Sequence, residues 1–154
     1  MAIDTSNNTI ITTNALLYKT QNGELTFLLV QENDNNWGLP GGAKEVEDVD
    51  LLITLKRELK EELGLEESDY VVQETSVKRE FEYNHFRSSR FGKHGIVLFY
   101  AVKIVDPSRV KASDELVQVA WFEKDEAAQK LTFDHIRDGF KETSSLVSNP
   151  HVSS

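Results

Sequence analysis

Cysteine is absent from this 154-residue chain, which excludes disulfides, thiolate metal ligands and a thiol nucleophile, and fits a reducing compartment. No apolar run approaches the roughly 18 residues that span a bilayer, and the opening MAIDTSNN has neither the basic nor the apolar region of a secretory signal. The chain therefore reads as soluble and cytoplasmic, with no membrane partner. Positive charge is scarce: 17 Lys and Arg stand against 26 Asp and Glu, a formal net charge of -9. That balance argues against broad binding to duplex nucleic acid or anionic membrane. A small anionic ligand stays compatible wherever basic residues or a metal gather locally. Internal repeats, linkers and low-complexity stretches are missing too, and the length suits one domain with a real core.

What is present alternates between β-rich and helical runs. Residues 9–18 (TIITTNALLY) and 24–31 (ELTFLLVQ) flank Asn22-Gly23, a favoured hairpin dipeptide, and predict two antiparallel strands. A Gly-rich loop, NNWGLPGGAKEVED, leads into residues 50–63, where Leu52, Leu55, Leu59 and Leu63 recur at helical spacing and Gly64 supplies a stop. Residues 70–83 and 95–105 predict two long strands joined by a basic connection, and 117–122 another strand. Residues 133–141 predict a closing amphipathic helix. Residues 1–8 and 143–154 are polar and Ser-rich and are expected to be flexible, which leaves a single domain at 9–142.

The predicted helix carries an unusual load. In RELKEELGL, residues 57–65, the leucines fall on one stripe while Glu58, Glu61 and Glu62 share the neighbouring one. Like charges one turn apart cost an isolated helix a few tenths of a kcal/mol, and more where water is excluded. The plain alternative is a solvated charged face helped by Lys56 and Lys60. Two neighbours point elsewhere. Arg57 pairs with Glu61 one turn on and can hold a carboxylate in a fixed pose. Pro40-Gly41-Gly42 lets backbone come close to whatever the carboxylates hold. Three hard oxygen donors beside a backbone carbonyl suit Mg2+ or Mn2+, and with no Cys and no close His pair nothing points to zinc. Clustered acids with a divalent ion point to phosphate chemistry.

Gly42, Asp48, Arg57-Glu58-Leu59, Glu61-Glu62 and Gly64-Leu65 resemble the Nudix box, whose pattern is G-x5-E-x7-R-E-U-x-E-E-x-G-U with U aliphatic. Trp37-Gly38-Leu39-Pro40-Gly41-Gly42 resembles that family's lead-in. From Gly42 to Arg57 the chain is one residue longer than the pattern, with Asp48, or Glu47 before it, in place of the first Glu. The resemblance implies an α/β fold, an α/β/α sandwich whose mixed curved sheet has the catalytic helix on one side and a C-terminal helix on the other. It implies hydrolysis of a nucleoside diphosphate linked to another group, water attacking phosphorus with Mg2+ or Mn2+ as cofactor. Carried over, Glu61 and Glu62 become metal ligands, Glu58 a ligand or the base acting on the water, Arg57 its orienter, and the carbonyl of Gly41 or Gly42 a further ligand. Glu115, just before the strand VQVAWF, is a rival catalytic and metal-binding carboxylate, because dinucleoside tetraphosphate hydrolases of the family carry a Glu in a similar place.

The basic connection FRSSRFGKHG, with Arg87, Arg90, Lys93 and His94, is either a hairpin tip or an arm over bound polyphosphate, with Phe86 or Phe91 free to stack on a base. Arg79 and Tyr83 join this substrate-binding set if no bulge separates them on their strand. Trp37 is either a platform for a base or packing, and His85, His135 and His151 read as structural. The C-terminal half resembles dinucleoside tetraphosphate hydrolases, whereas Pro40-Gly41-Gly42-Ala43 resembles members that cleave nucleoside triphosphates. The expected partner is therefore a small nucleotide, led by dinucleoside polyphosphates and (oxidised) nucleoside triphosphates, with nucleotide sugars and RNA 5' ends behind. A non-catalytic nucleotide sensor and a plain interaction domain are the readings from other classes. Whether the chain works alone or as a homodimer stays open.

Overall fold

The Gly-rich loop forms a wedge, and the fold is organised around it. The computed structural model describes residues 2–85 and 88–147, so Phe86, Arg87 and His151 lie outside the described residues. Strand β1 (Thr9–Gln21) turns at Asn22 and Gly23, with φ of 53° and 81°, into β2 (Glu24–Glu32). Their pairing runs only from Tyr18 opposite Phe27 to Gln21 opposite Glu24. Beyond it the two strands part. Strand β2 takes β3 (Trp37–Gly38) on one side and β7 (Leu116–Glu123) on the other, while β1 takes β4 (Gly41–Ala43). The lead-in WGLPGGA therefore occupies the fork, and Ala15 N–H donates to the Pro40 carbonyl at 2.7 Å across it.

On its other edge β1 runs parallel to β6 (His94–Ile104), which pairs antiparallel with β5 (Tyr70–Glu82). The result is one mixed, curved and unclosed seven-stranded sheet, ordered β3-β2-β1-β6-β5 with β4 and β7 attached to β1 and β2. Alternating strand residues feed opposite layers. Leu17, Leu28 and Val30 meet Leu55, Leu59 and Leu63 of α1 (Leu51–Leu63). Leu16, Phe27 and Leu29 meet Ala127, Leu131 and Phe140 from the side of α2 (Lys124–Lys130) and α3 (Asp134–Ser145). Each fully buried leucine contributes on the order of 1.5–3 kcal/mol. The expected α/β/α sandwich is thus what the chain builds, with the acidic helix alone on one face.

Helix α1 begins where Asp50 accepts a hydrogen bond from Ile53 N–H at 2.9 Å, and ends at Gly64 in the left-handed conformation. Helix α2 escaped the sequence reading because its seven residues bury only Ala127 and Ala128, too little for a periodic signal. At the two ends, the described residues 2–8 and 143–147 make specific contacts. Asp4 N–H donates to the Lys44 carbonyl and Val46 N–H to the Ala2 carbonyl, both at 2.9 Å, and Lys44 pairs with the Asp4 carboxylate. Helix α3 runs on to Ser145, with Thr143 and Ser144 buried; Ser144 satisfies its own hydroxyl by donating to the Lys141 carbonyl. Small polar residues can be buried this way, and composition alone does not reveal it. Among the described residues no helix is long and apolar enough to cross a membrane.

Candidate active site

Arg57 organises the acidic stripe. From α1 it donates to the Asp48 carboxylate at 2.9 Å, to Glu58 at 2.9 Å and to the Ala43 carbonyl at 3.2 Å, and it reaches Glu45 at 3.5 Å and Glu61 at 3.4 Å. Asp48 is buried, whereas Glu47 is exposed, so Asp48 fills the place left open between the two. Its carboxylate also accepts from Glu45 N–H at 2.9 Å and the Thr54 hydroxyl at 2.8 Å. Burial alone would raise its pKa, but Arg57 and these two donors outweigh burial and hold it at about 2.

The wedge brings backbone against the other two acids. A Cβ on Gly42 would lie 2.3 Å from the Glu58 carboxyl carbon, and one on Gly41, where φ is 151°, 1.9 Å from the Thr13 carbonyl oxygen. Only glycine permits this approach. Gly41 N–H donates to Glu62 at 2.7 Å. Burial pushes Glu58 up to about 7 against the pull of Arg57, with Glu61 and Glu45 adding repulsion. Burial likewise pushes Glu62 up to about 8 against the Gly41 N–H, with Glu58, Glu32 and Glu115 adding. Glu61 is the exposed member, its side chain 58% accessible.

Two clefts meet at these carboxylates. One, of about 330 Å³, is lined by Glu58, Glu45, Gly42, Asn14, Ile3 and Arg90 among others. The other, of about 350 Å³, is lined by Glu62, Glu115, Glu32, Asn33, Asp34 and Leu116. Glu32 borders both, and burial raises its pKa, reinforced by Asp34 and opposed by Arg90. Glu32 and Glu45 were missed in the sequence, although an acid ending a strand just before a Gly-rich loop was a usable signal.

The other expected residues are dispersed. Arg90 faces the first cleft, its guanidinium 5.5 Å over the Tyr83 ring and donating to the Tyr83 hydroxyl at 3.1 Å. Lys93 donates to the Asn8 side chain at 3.3 Å. His94 is clasped by Glu82 at 2.6 Å and Glu80 at 2.8 Å, which raise its pKa. Arg79 pairs with Glu142 at 2.7 Å on the α3 side, in a separate cleft beside His135. The strand irregularity between Glu74 and Lys78 precedes Arg79, so no bulge interrupts the run up to Glu82. Trp37 packs edge-on against Phe122 with ring centres 5.6 Å apart, and its backbone N–H donates to the Thr132 hydroxyl at 2.9 Å. This contact lies on the α2 side of the sheet.

No three Asp, Glu or His side chains among the described residues stand in a ready metal-holding arrangement. One oxygen of Glu62 is engaged by Gly41 N–H and one of Glu58 by Arg57. The donor chemistry nevertheless fits Mg2+ or Mn2+: every donor is a hard oxygen, and a divalent cation relieves the repulsion that raises Glu58 and Glu62.

A model of the Nudix domain matches residues 9–142, and the chain belongs to the Nudix hydrolase family. A C. elegans Ap4A hydrolase in a binary complex is similar in fold, with a TM-score of 0.75 and 20% identity over 89% of this chain and 96% of that one. The E. coli dihydroneopterin triphosphate pyrophosphohydrolase is similar too, with a TM-score of 0.76 and 15% identity over 89% and 96%. A MutT protein from Methanosarcina mazei Go1 has a TM-score of 0.68 and 25% identity over 90% and 94%. No curated protein sequence matches the chain.

Proposed function

We propose that this protein is a Mg2+- or Mn2+-dependent hydrolase of the phosphoanhydride bond in a nucleoside diphosphate linked to another group. Dinucleoside polyphosphates and (oxidised) nucleoside triphosphates are the leading substrates. The observation that carries the reading is the pair Glu58 and Glu62, held against Gly42 and Gly41 where two clefts meet and both raised towards neutrality. Glu58, Glu61, Glu62, Glu115 and the carbonyl of Gly41 or Gly42 are the groups that would hold the cation, which when bound neutralises the polyphosphate's developing charge.

Glu58, at about 7, is suited to take a proton from the attacking water, and Arg57 keeps its carboxylate aimed at the cleft. Glu115, which shares the second cleft with Glu62, is the rival base. Arg90, which lines the first cleft and is steadied by Tyr83, is the candidate we assign to polyphosphate binding. The decisive experiment offers a panel of dinucleoside polyphosphates, nucleoside triphosphates and nucleotide sugars with Mg2+ or Mn2+ in isotope-labelled water. Cleavage with label on one defined phosphorus is expected. Turnover no faster than that of Glu58→Gln and Glu115→Gln variants across the whole panel would remove the hydrolase reading.

A further inference from the structure

We propose that residues 2–8, which precede the matched Nudix domain, complete the substrate cleft, and that Asn8 is a positioning residue for Arg90. The inference rests on the reading above that Arg90 meets the polyphosphate.

The segment bridges the two walls of the first cleft. At one end Ile3 forms a bridge with Glu45, flanked by the backbone bonds of Ala2 and Asp4 to the 44–46 loop, and Ile3 lines the cleft together with Glu45 and Glu58. The chain then bends. The Asp4 carboxylate accepts from Ser6 N–H at 2.9 Å and from the Ser6 hydroxyl at 2.6 Å. Asn7 and Asn8 take left-handed conformations, φ 57° and 56°, which asparagine tolerates better than most residues. That bend delivers the Asn8 side chain to the basic turn: its amide donates to the Gly92 carbonyl at 3.1 Å, and its oxygen accepts from Lys93 at 3.3 Å.

The turn that Asn8 grips is the one that carries Arg90. Gly92 N–H donates to the Tyr83 carbonyl at 2.8 Å, and Tyr83 N–H and Lys93 N–H donate to the Lys93 and Arg90 carbonyls respectively, each at 3.0 Å. Arg90 is held on Tyr83 as well, so the bonds run from Asn8 through Gly92 and Lys93 to Arg90 and tie it to the segment that reaches the acid loop. A polyphosphate must touch both walls, so their separation sets how well it binds. The bond-breaking step, which depends on Glu58 and its neighbours, is a step removed from Asn8.

The test is a double-mutant cycle between Asn8→Gly and Arg90→Ala. Glycine keeps the left-handed backbone and removes both side-chain bonds. Asn8→Gly should raise KM for the cleaved nucleotide about fivefold with kcat within about twofold. Arg90→Ala should raise KM at least as much, and the double variant should match Arg90→Ala alone. An unchanged KM in Asn8→Gly, with or without a lower Tm, would overturn the proposal, as would a double variant whose loss is the product of the two. The same cycle read as the Kd for ADP with Mg2+ by calorimetry separates the two claims. Coupled binding without turnover removes the hydrolase reading and keeps the positioning role, whereas uncoupled binding, or no ADP binding by the wild type, removes the positioning role.

Discussion

Asp48 is one methylene shorter than the glutamate of the family pattern, and the loop before Arg57 is one residue longer. The shorter carboxylate lies buried at 2.9 Å from Arg57. Asp48→Glu should therefore overfill a buried site and cost about 1–2 kcal/mol, read from urea unfolding. Asp48→Asn should cost about 1–3 kcal/mol at pH 7. Because the folded pKa lies at about 2, below the ordinary carboxylate value, the wild type's advantage is present at neutral pH. It should shrink as pH falls through the range between those two values. Glu62 has the opposite sign. Its folded pKa is raised to about 8, so the metal-free fold loses stability as pH rises from the ordinary carboxylate value to about 8, and the loss then levels off. Glu62→Gln should then unfold later than wild type at pH 9 without metal, by about 1–2 kcal/mol, while hydrolysis is lost. Equal or lower stability in Glu62→Gln at that pH would contradict the burial assigned to Glu62. At this scale the sequence could name the acid stripe but could not rank it, because Glu61 and Glu62 are neighbours in sequence and opposites in exposure.

At the scale of elements, legibility followed length and periodicity. Helix α1, with four leucines at helical spacing, Asp50 before it and Gly64 after it, could be read almost to the residue. The strands were readable as runs, but their ends shifted by up to three residues, as where 9–18 continues to Gln21. The strands β3 and β4 were not readable at all, being two and three residues long and defined by what they pair with. Yet these are the pieces that wedge β1 from β2 and press glycine backbone onto Glu58. Gly42→Ala tests the wedge directly, since its Cβ would collide with the Glu58 carboxyl group and force it off Arg57. We expect kcat to fall by about 100-fold while stability changes by no more than about 1 kcal/mol. Asp50→Ala is the matched control on the same helix: loss of its cap should cost about 1 kcal/mol and leave kcat near wild type. If both variants lose activity in proportion to stability, the close approach of Gly42 is packing and nothing more.

For the whole molecule the dominant fact is a formal net charge of -9 carried by a protein that is proposed to bind polyanions. The clefts at the carboxylates are lined by Glu32, Asp34, Glu45, Glu58, Glu62 and Glu115, with Arg90 in the first and Arg57 spent on its own neighbours. Near neutral pH the raised Glu58 and Glu62 retain protons, which lowers the electrostatic cost of the empty cluster. A cation binding there must displace those protons, so metal affinity and pH are linked through the same groups. Mg2+ or Mn2+ should therefore bind more tightly as pH rises from 6 to 8, by up to about tenfold per pH unit for each proton released. Removing metal with a chelator should lower Tm more at pH 8.5 than at pH 6.5. Calorimetry in buffers of different ionisation enthalpy counts the protons directly, and release is expected to disappear in Glu58→Gln/Glu62→Gln. Metal binding that releases no protons from the wild type at pH 7, or a Tm response that persists unchanged in the double variant, would place the cation away from these two glutamates.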